Sequence, residues 1–221
     1  MDFLSNVLPS YFTGLLLGGG VCIISLFLDT TLCRSTFLEL INSNSKKYID
    51  GIKANFINMI CIGPATYSII SYTFIDNSTT YIQLGNLTCL LMTHNGLYYI
   101  FHYLMHKPLL YSIHKFHHQY DNILLPSLGN AVSKEEFLLA YMSPFIIGAK
   151  LFNPNETTFI AAISIIASLN MAIHTKELEN VQWIKYLVSP NQHLEHHRIK
   201  DKHYAAPLLN IDYILKEIYE Q

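Results

Sequence analysis

Five apolar runs separated by polar stretches dominate the pattern of this chain. They cover residues 7–28, 54–75, 84–101, 137–152 and 158–173. A bilayer-spanning helix needs roughly 17 to 25 mostly apolar residues, which the first three runs provide. The last two are shorter, and Pro144 is expected to kink the fourth. The pattern predicts an all-α integral membrane protein with about four to five membrane helices, the last two forming a hairpin that crosses or enters the bilayer.

Basic residues orient these runs. The loop 29–53 carries four Lys or Arg residues, whereas the loop 76–83 carries none. Because cytosolic loops are enriched in Lys and Arg, we expect the first loop to be cytosolic and the second luminal. Asn77 opens an Asn-Ser-Thr glycosylation motif in the second loop, which agrees with a luminal position. The polar stretches 101–136 and 174–221 then form a cytosolic helical cap.

Composition supports a membrane protein and excludes other classes. Hydrophobic residues make up 51% of the 221 residues and charged residues 14%, whereas soluble domains carry about 25% charged residues. The net charge of −2 provides no basic face for nucleic acid. The four cysteines form no short metal-binding pair. The remaining anomaly is a content of 11 histidines.

Most of these histidines fall into three boxes. The boxes are His102 with His106, His114 with His117 and His118, and His193 with His196 and His197. Residues three and four apart lie on one helical face, so each box can direct its imidazoles to one point. Imidazole is the commonest metal ligand. Eight imidazoles exceed the three or four ligands of one zinc ion, which favours two neighbouring metal ions.

The order of the boxes resembles the fatty acid hydroxylase and sterol desaturase superfamily of membrane-bound di-metal oxygenases. That pattern runs from an H-x-x-x-H box to H-x-x-H-H, then through a membrane hairpin to a further histidine and a second H-x-x-H-H. The chain carries the whole series over residues 95–215. Tyr99, three residues before His102, and Pro190, three residues before His193, also stand where the family usually has a tyrosine and a proline. The stretch 106–118 and Tyr204-Ala205 are most similar to the sterol C-4 methyl oxidase branch, with sterol C-5 desaturases and fatty acid or alkylglycerol hydroxylases as alternatives.

The resemblance also implies the site residues. The expected metal ligands are His102, His106, His114, His117, His118, His174, His193, His196 and His197. Four further residues at family positions are candidates for an additional ligand or for a hydrogen-bond partner of a ligand: His203, Asn95, Glu136 and Asp212. We predict no catalytic residue that is separate from the metal ligands. His94 stands alone inside the third run and is interpreted as a surface or interfacial residue.

Several positions depart from the family pattern. Asn95 replaces an Asp, Tyr103 replaces an Arg, and Ser133 stands where a His-Pro pair is common. His203 replaces the Asn of an Asn-Tyr-Ala stretch, and no Gly-Thr follows Asp212. These departures leave the substrate open.

By this resemblance the chain is a single domain, 1–221, with N-terminal membrane helices (1–94) and a histidine-box region (95–221). It would hold two iron ions, or zinc in a purified sample. It would oxidise, hydroxylate or desaturate a lipid from the bilayer with O2, at the endoplasmic reticulum in sterol or lipid biosynthesis. Electrons would come from a cytochrome b5-type donor and its NAD(P)H reductase.

Two other functions remain open from the residues alone. One is a histidine-rich membrane metal transporter, although transporter histidines usually lie within the spans. The other is an inactive relative acting as a scaffold. Six basic residues can meet an acidic electron donor or form a solvated cytosolic rim. They are Lys107, Lys115, Lys185, Arg198, Lys200 and Lys202.

Overall fold

The computed structural model describes residues 3–76, 78–121 and 123–220. Asn77 lies outside the described residues, so its luminal position stays a prediction. The described part of the chain is helical and contains no strand, and its one isolated β-bridge joins Leu187 to Leu209. The predicted all-α class is confirmed.

Each of the five apolar runs lies within a long helical stretch. The α-helices are α1 (Phe3–Thr30), α2 (Arg34–Phe56), α3 (Gly63–Phe74), α4 (Leu84–Met105), α5 (Tyr111–His114), α6 (Lys134–Glu136), α7 (Ser143–Phe152), α8 (Glu156–Ile173), α9 (Pro190–Ile199) and α10 (Ile211–Tyr219). Short 3₁₀ turns cover His117–Tyr120, Pro126–Leu128 and Lys176–Leu178. The second and fourth runs are each broken by a π-helical turn, Ile57–Ile62 and Phe137–Met142.

A proline follows each π-helical turn. Pro64 and Pro144 are the second residues of α3 and α7. Proline has no N–H and clashes with the preceding helical turn, so the helix cannot continue through it with regular hydrogen bonds. The wider π-helical turn absorbs this irregularity. The irregularity expected at Pro144 is therefore present, just before that residue.

Two of the helices are long and apolar enough to cross a membrane on their own. They are Val7–Thr30, with a mean hydropathy of 2.0, and Glu156–Ile173, with a mean hydropathy of 1.6. Large apolar side chains point outward on α1, where Leu16 is 78% exposed and Ile23 is 70% exposed. Such a surface suits hydrocarbon better than water. Membrane association is thus supported, whereas four to five spans stay a prediction.

Glycines bring α1 against the second helical stretch. A Cβ atom on Gly18 would lie 1.9 Å from the carbonyl oxygen of Met59, and one on Gly14 would lie 2.7 Å from the Cα of Pro64. No side chain fits such a contact, so the two backbones approach directly. Gly20 faces open space by the same measure.

A buried carboxylate connects the end of α1 to the histidine-rich cap. Asp29 is fully buried and accepts a hydrogen bond from the backbone N–H of Ser127 at 3.1 Å. The hydroxyl groups of Ser127 and Tyr48 also donate to it. Buried carboxylates are stable when they are fully hydrogen-bonded, so Asp29 fixes the turn Pro126–Leu128 against the membrane helices.

Candidate metal centre

Nine histidines assemble into two groups that could each hold a metal ion. Group one consists of His102, His106, His114, His118 and His196, and group two of His117, His174, His193 and His197. Within each group, one nitrogen from each ring lies within 4.8 Å of the corresponding nitrogen from every other ring. Eight of the nine are buried, and His106 is partly exposed. The nine histidines expected as ligands are the same nine that the structure brings together.

Each H-x-x-H-H box contributes to both groups. His114 and His118, four residues apart, belong to group one, whereas His117 belongs to group two. The last box has the opposite arrangement: His193 and His197, four residues apart, belong to group two, whereas His196 belongs to group one. Residues four apart share one face of a helical segment, and the adjacent residue projects about a quarter turn away. The box pattern therefore places two sites side by side, and the rings of His118 and His197 are 4.8 Å apart.

The Nε2 atoms converge inside each group. In group one the Nε2 atoms of His102 and His114 are 3.0 Å apart, and in group two those of His174 and His193 are also 3.0 Å apart. The Nε2 of His196 is buried and has no hydrogen-bond partner among the described residues. Several ring nitrogens packed at such distances around one point form a typical metal-binding donor set.

The outer nitrogens of four rings are held by acceptors. Three Nδ1–H groups donate to backbone carbonyl oxygens at 2.7 Å: His102 to Tyr204, His174 to Asn170, and His196 to Lys202. The Nδ1–H of His114 donates to the carboxylate of Glu136, also at 2.7 Å. A neutral imidazole that donates from Nδ1 keeps a lone pair on Nε2. These contacts therefore aim lone pairs at the centre of each group, an arrangement typical of metal-ligating histidines.

Burial disfavours the protonated form of eight of these imidazoles. It lowers the pKa of His174 to about 4 and that of His196 to about 3. Burial, the neighbouring histidines and the charges of Lys107 and Lys200 lower the pKa of His106 to about 2. Only the neutral form binds a metal ion, so the site is ready to bind at neutral pH. Lone pairs 3.0 Å apart repel one another, and a cation between them removes that repulsion. The donor set thus fits a pair of metal ions.

The last box is placed by strong local signals. Pro190 occupies the first position of α9, and Ser189 and Gln192 form a reciprocal capping box at its start. Such a box satisfies backbone N–H groups that would otherwise have no partner. The helix ends at Lys200, whose φ of 69° is left-handed. The chain turns back there, which brings the carbonyl oxygens of Lys202 and Tyr204 to group one.

Of the four further candidates, Glu136 is the one that forms a hydrogen bond with a histidine of either group within the described part of the chain: it binds His114. It is fully buried and accepts a hydrogen bond from the Nδ1–H of His114. Burial raises its pKa, and His114 lowers it. Glu136 is therefore a hydrogen-bond partner of a histidine in group one, and its carboxylate lies outside both groups of nitrogens.

The other three candidates hold the C-terminal segment. Asn95 accepts a hydrogen bond from the backbone N–H of Leu209 at 2.9 Å, and Asp212 accepts one from that of Ala205 at 2.7 Å. His203 lies outside both groups and pairs with Glu195 at 3.0 Å. These three residues position the segment whose carbonyl oxygens reach the histidines.

The interpretation of His94 was wrong. It is 1% exposed and lies inside the helical bundle, with its ring 4.5 Å from that of Phe145. It lies on α4 within an apolar run, where periodicity alone does not distinguish the inner from the outer face when nearly every neighbour is apolar. The backbone acceptors at Asn170, Lys202 and Tyr204 were also missed, because any residue provides a carbonyl oxygen and the sequence gives no signal for it.

Comparison with protein families gives one match. The model described as fatty acid hydroxylase matches residues 87–217, which is more than half of the chain and includes all nine histidines of the two groups. Comparisons with curated proteins and with solved structures found no match. The order of the histidine boxes and this match lead to the same conclusion: the chain belongs to the fatty acid hydroxylase family, within the fatty acid hydroxylase and sterol desaturase superfamily.

Proposed function

We propose that this protein is a membrane-bound di-iron oxygenase that hydroxylates, oxidises or desaturates a lipid. The observation that carries the proposal is the pair of adjacent groups of imidazoles, with nitrogens within 4.8 Å in each group. The family match supports oxygen-dependent lipid chemistry. A metal transporter would need polar side chains along its spans, whereas these histidines lie beyond the apolar runs or at their ends.

Five imidazoles would hold one iron ion and four would hold the other. Iron bound there would supply the activation of dioxygen. The chain's own residues orient the ligands through the four acceptors at their outer nitrogens. They also exclude water, because eight of the nine rings are buried. Exclusion of water strengthens electrostatic interactions within the site and prevents side reactions.

The electron donor is proposed to dock beside His106, the partly exposed ring of group one. The positive charges of Lys107 and Lys200 help to lower the pKa of His106. Neither of them, nor Lys115, forms an ion pair with another described residue. The other three basic residues form ion pairs: Lys185 with Glu217, Arg198 with Glu179, and Lys202 with Glu195. An acidic cytochrome b5-type protein, reduced by its NAD(P)H reductase, would meet Lys107, Lys115 and Lys200, which have no acidic partner among the described residues.

The proposed location is the endoplasmic reticulum membrane, with the histidines facing the cytosol. The basic loop 29–53 supports this orientation. Both the electron donor and its reductant would then be on the histidine side. For the substrate we propose a sterol or a fatty acyl or alkyl lipid. The stretch 106–118 favours the sterol C-4 methyl oxidase branch and thus a step in sterol biosynthesis.

The experiment compares the lipids of cells with and without the protein by mass spectrometry, and measures iron in the purified protein. The proposal requires a new hydroxylated, oxidised or desaturated lipid and about two iron ions per chain. His114→Ala and His196→Ala should abolish the product and lower the iron content, because each removes an imidazole from group one. His203→Asn is the matched control, since His203 lies outside both groups.

Full activity with unchanged iron in either alanine variant would refute the assignment of the site. Iron-dependent growth without a lipid change would support a transporter instead. Neither metal nor a lipid change would support an inactive scaffold.

A further inference from the structure

An apolar cavity of about 280 Å³ lies among the membrane helices. Its walls come from α1, α3, α4, α8 and the helical stretch that contains α7. Leu17, Ile70, Phe145 and Ile166 are among its apolar side chains. A cavity lined in this way, with a few polar groups, is the usual form of a site for a small apolar ligand.

The cavity reaches the outside between α1 and α8. Leu16 and Gly20 line it from α1, and Ser164 and Ser168 line it from α8. Leu16 and both serines are exposed, which places them at the opening. These are the two helices that are long and apolar enough to cross a membrane by themselves. The opening therefore faces the hydrocarbon of a bilayer, where a lipid can enter sideways.

His94 is the histidine on the wall of this cavity. It is 1% exposed, and neither ring nitrogen has a partner in hydrogen-bond geometry among the described residues. The backbone of Tyr141 is a polar neighbour of the ring. A buried polar group without a partner destabilises a folded protein, so its presence calls for an explanation such as a ligand.

The position of His94 connects the cavity to group one. His94, Tyr98 and His102 follow one another on α4 at intervals of four residues, so they share one face. The rings of His94 and Tyr98 are stacked with centroids 6.1 Å apart, and those of Tyr98 and His102 are 5.3 Å apart. Eight residues of α-helix correspond to about 12 Å. A ligand held at His94 can therefore extend along α4 towards group one.

We propose that the cavity binds a lipid with a hydroxyl group and that His94 accepts a hydrogen bond from that hydroxyl. This inference rests on the proposed oxygenase function and names the class of its substrate. A neutral imidazole carries a proton on one of its two ring nitrogens, whichever tautomer it adopts. The other nitrogen is then an acceptor that needs a donor. A lipid hydroxyl donates, whereas an ester, an ether or a hydrocarbon does not.

The other polar side chains of the cavity are engaged or remote. Asn170 donates to the side-chain oxygen of Asn130 at 3.2 Å, so these two amides bind each other. Ser164 and Ser168 lie at the exposed opening. The hydroxyl groups of the buried Tyr67 and Tyr141 donate to the carboxylate of Glu156 and to the carbonyl oxygen of Gly129. Within the described residues, His94 is thus the buried polar side chain of the cavity wall whose polar atoms have no hydrogen-bond partner.

The test measures binding without turnover. The protein is reconstituted in phosphatidylcholine nanodiscs and labelled with a photoreactive long-chain alcohol. The unlabelled alcohol and its methyl ether are then compared as competitors. The ether keeps the oxygen and loses the donor. We expect the alcohol to compete about five- to tenfold better, which is the effect of one buried hydrogen bond. An unlabelled sterol, added in a parallel series, distinguishes a ring system from a linear chain.

Three variants separate the contribution of His94 from that of the cavity. His94→Phe retains the aromatic packing and should remove the preference for the alcohol. His94→Gln retains an acceptor and should keep a preference. Gly20→Phe should block the opening and reduce labelling by both probes, because Gly20 lines the cavity and has open space beside it. Gly85→Phe is the matched control, since Gly85 also has open space and does not line the cavity.

Equal competition by alcohol and ether in the wild-type protein would overturn the inference, whatever the variants do. A preference that persists in His94→Phe would also overturn it. Labelling is repeated in His114→Ala, which should not turn over. A protein that oxidises a lipid but binds the alcohol no better than the ether would refute this inference alone. Alcohol preference in an iron-loaded protein that oxidises no lipid would refute the proposed oxygenase and leave the binding site intact.

Discussion

Replacing Glu136 by glutamine tests whether outer hydrogen bonds control metal binding. Glu136 is fully buried and accepts the Nδ1–H of His114 at 2.7 Å. The substitution Glu136→Gln keeps the size and shape of the side chain and removes the negative charge. The ring of His114 would then lose a charge-assisted hydrogen bond and keep, at best, a neutral one.

Two estimates give the size of the effect. Hydrogen bonds to charged groups contribute about 1.5–3 kcal/mol and neutral ones about 0.5–1.5 kcal/mol, so the loss is about 1–2 kcal/mol. That loss corresponds to about a five- to thirtyfold weaker metal affinity. Outer-partner substitutions at metal sites typically cost about ten- to a hundredfold. The two ranges overlap between ten- and thirtyfold, which is the expected loss of iron affinity.

The assay is competition for iron with a chelator of known affinity, at fixed pH and salt. Glu135→Gln is the matched control, because Glu135 is the adjacent residue and is exposed. It removes the same charge from the same turn and should change the affinity less than twofold, because solvent screens an exposed charge. Equal losses in the two variants would refute the reasoning, since net charge rather than the bond to His114 would then be responsible.

Three further predictions concern stability. Gly18→Ala should lower the free energy of unfolding by about 1–3 kcal/mol through overpacking against Met59, whereas Gly20→Ala in the same helix should raise it by up to about 1 kcal/mol. Equal melting temperatures in detergent would contradict this. His203 has a left-handed φ of 58°, so His203→Val should destabilise by about 1–2 kcal/mol and His203→Asn should not; equal unfolding midpoints would be the contrary result. The folded-state pKa of His174 is about 4, against an ordinary 6.5. Between these pH values His174 is therefore protonated in the unfolded chain and neutral in the folded protein. Metal-free protein should lose about 1.4 kcal/mol per pH unit at this histidine as pH falls from 6.5 to 4, and a flat profile in acid-unfolding measurements would contradict it.

The sequence predicted the helices well because hydrophobicity and box spacing are local signals. All five apolar runs lie in long helical stretches, and Pro144 lies just after an irregular turn. The number of membrane spans was harder to predict from the sequence. Only α1 and α8, among the described helices, are long and apolar enough by themselves, since the other runs are interrupted by polar residues or π-helical turns.

The candidate site was predictable in its side chains and not in its backbone. Spacing identified eight of the nine histidines, because three- and four-residue intervals repeat on one helical face, and the family resemblance added His174. Their assignment as ligands stays a prediction. Asn95 and Asp212 were placed among the candidates, yet they bind the backbone of the C-terminal segment. Such contacts depend on how distant segments meet, which no local pattern records.

The departure at His203 has a physical explanation. The family's asparagine at this position suits a left-handed backbone, and histidine is also enriched in that conformation. His203 has φ 58°, and the turn that contains it delivers the carbonyl oxygens of its two neighbours to group one. The substitution therefore preserves the turn, which is the feature that the centre requires.

The division of the last box between the two groups also determines the order of assembly during synthesis. Before α9 emerges, group one already has four of its imidazoles, whereas group two has only His117 and His174. His193 and His197 arrive after all the long helices have been made. In the proposed di-iron protein, four ligands of the first ion would thus be present early, whereas the second ion would have to wait until α9 has docked. The docking of α9 would therefore complete both groups in one step, after the long helices have been made.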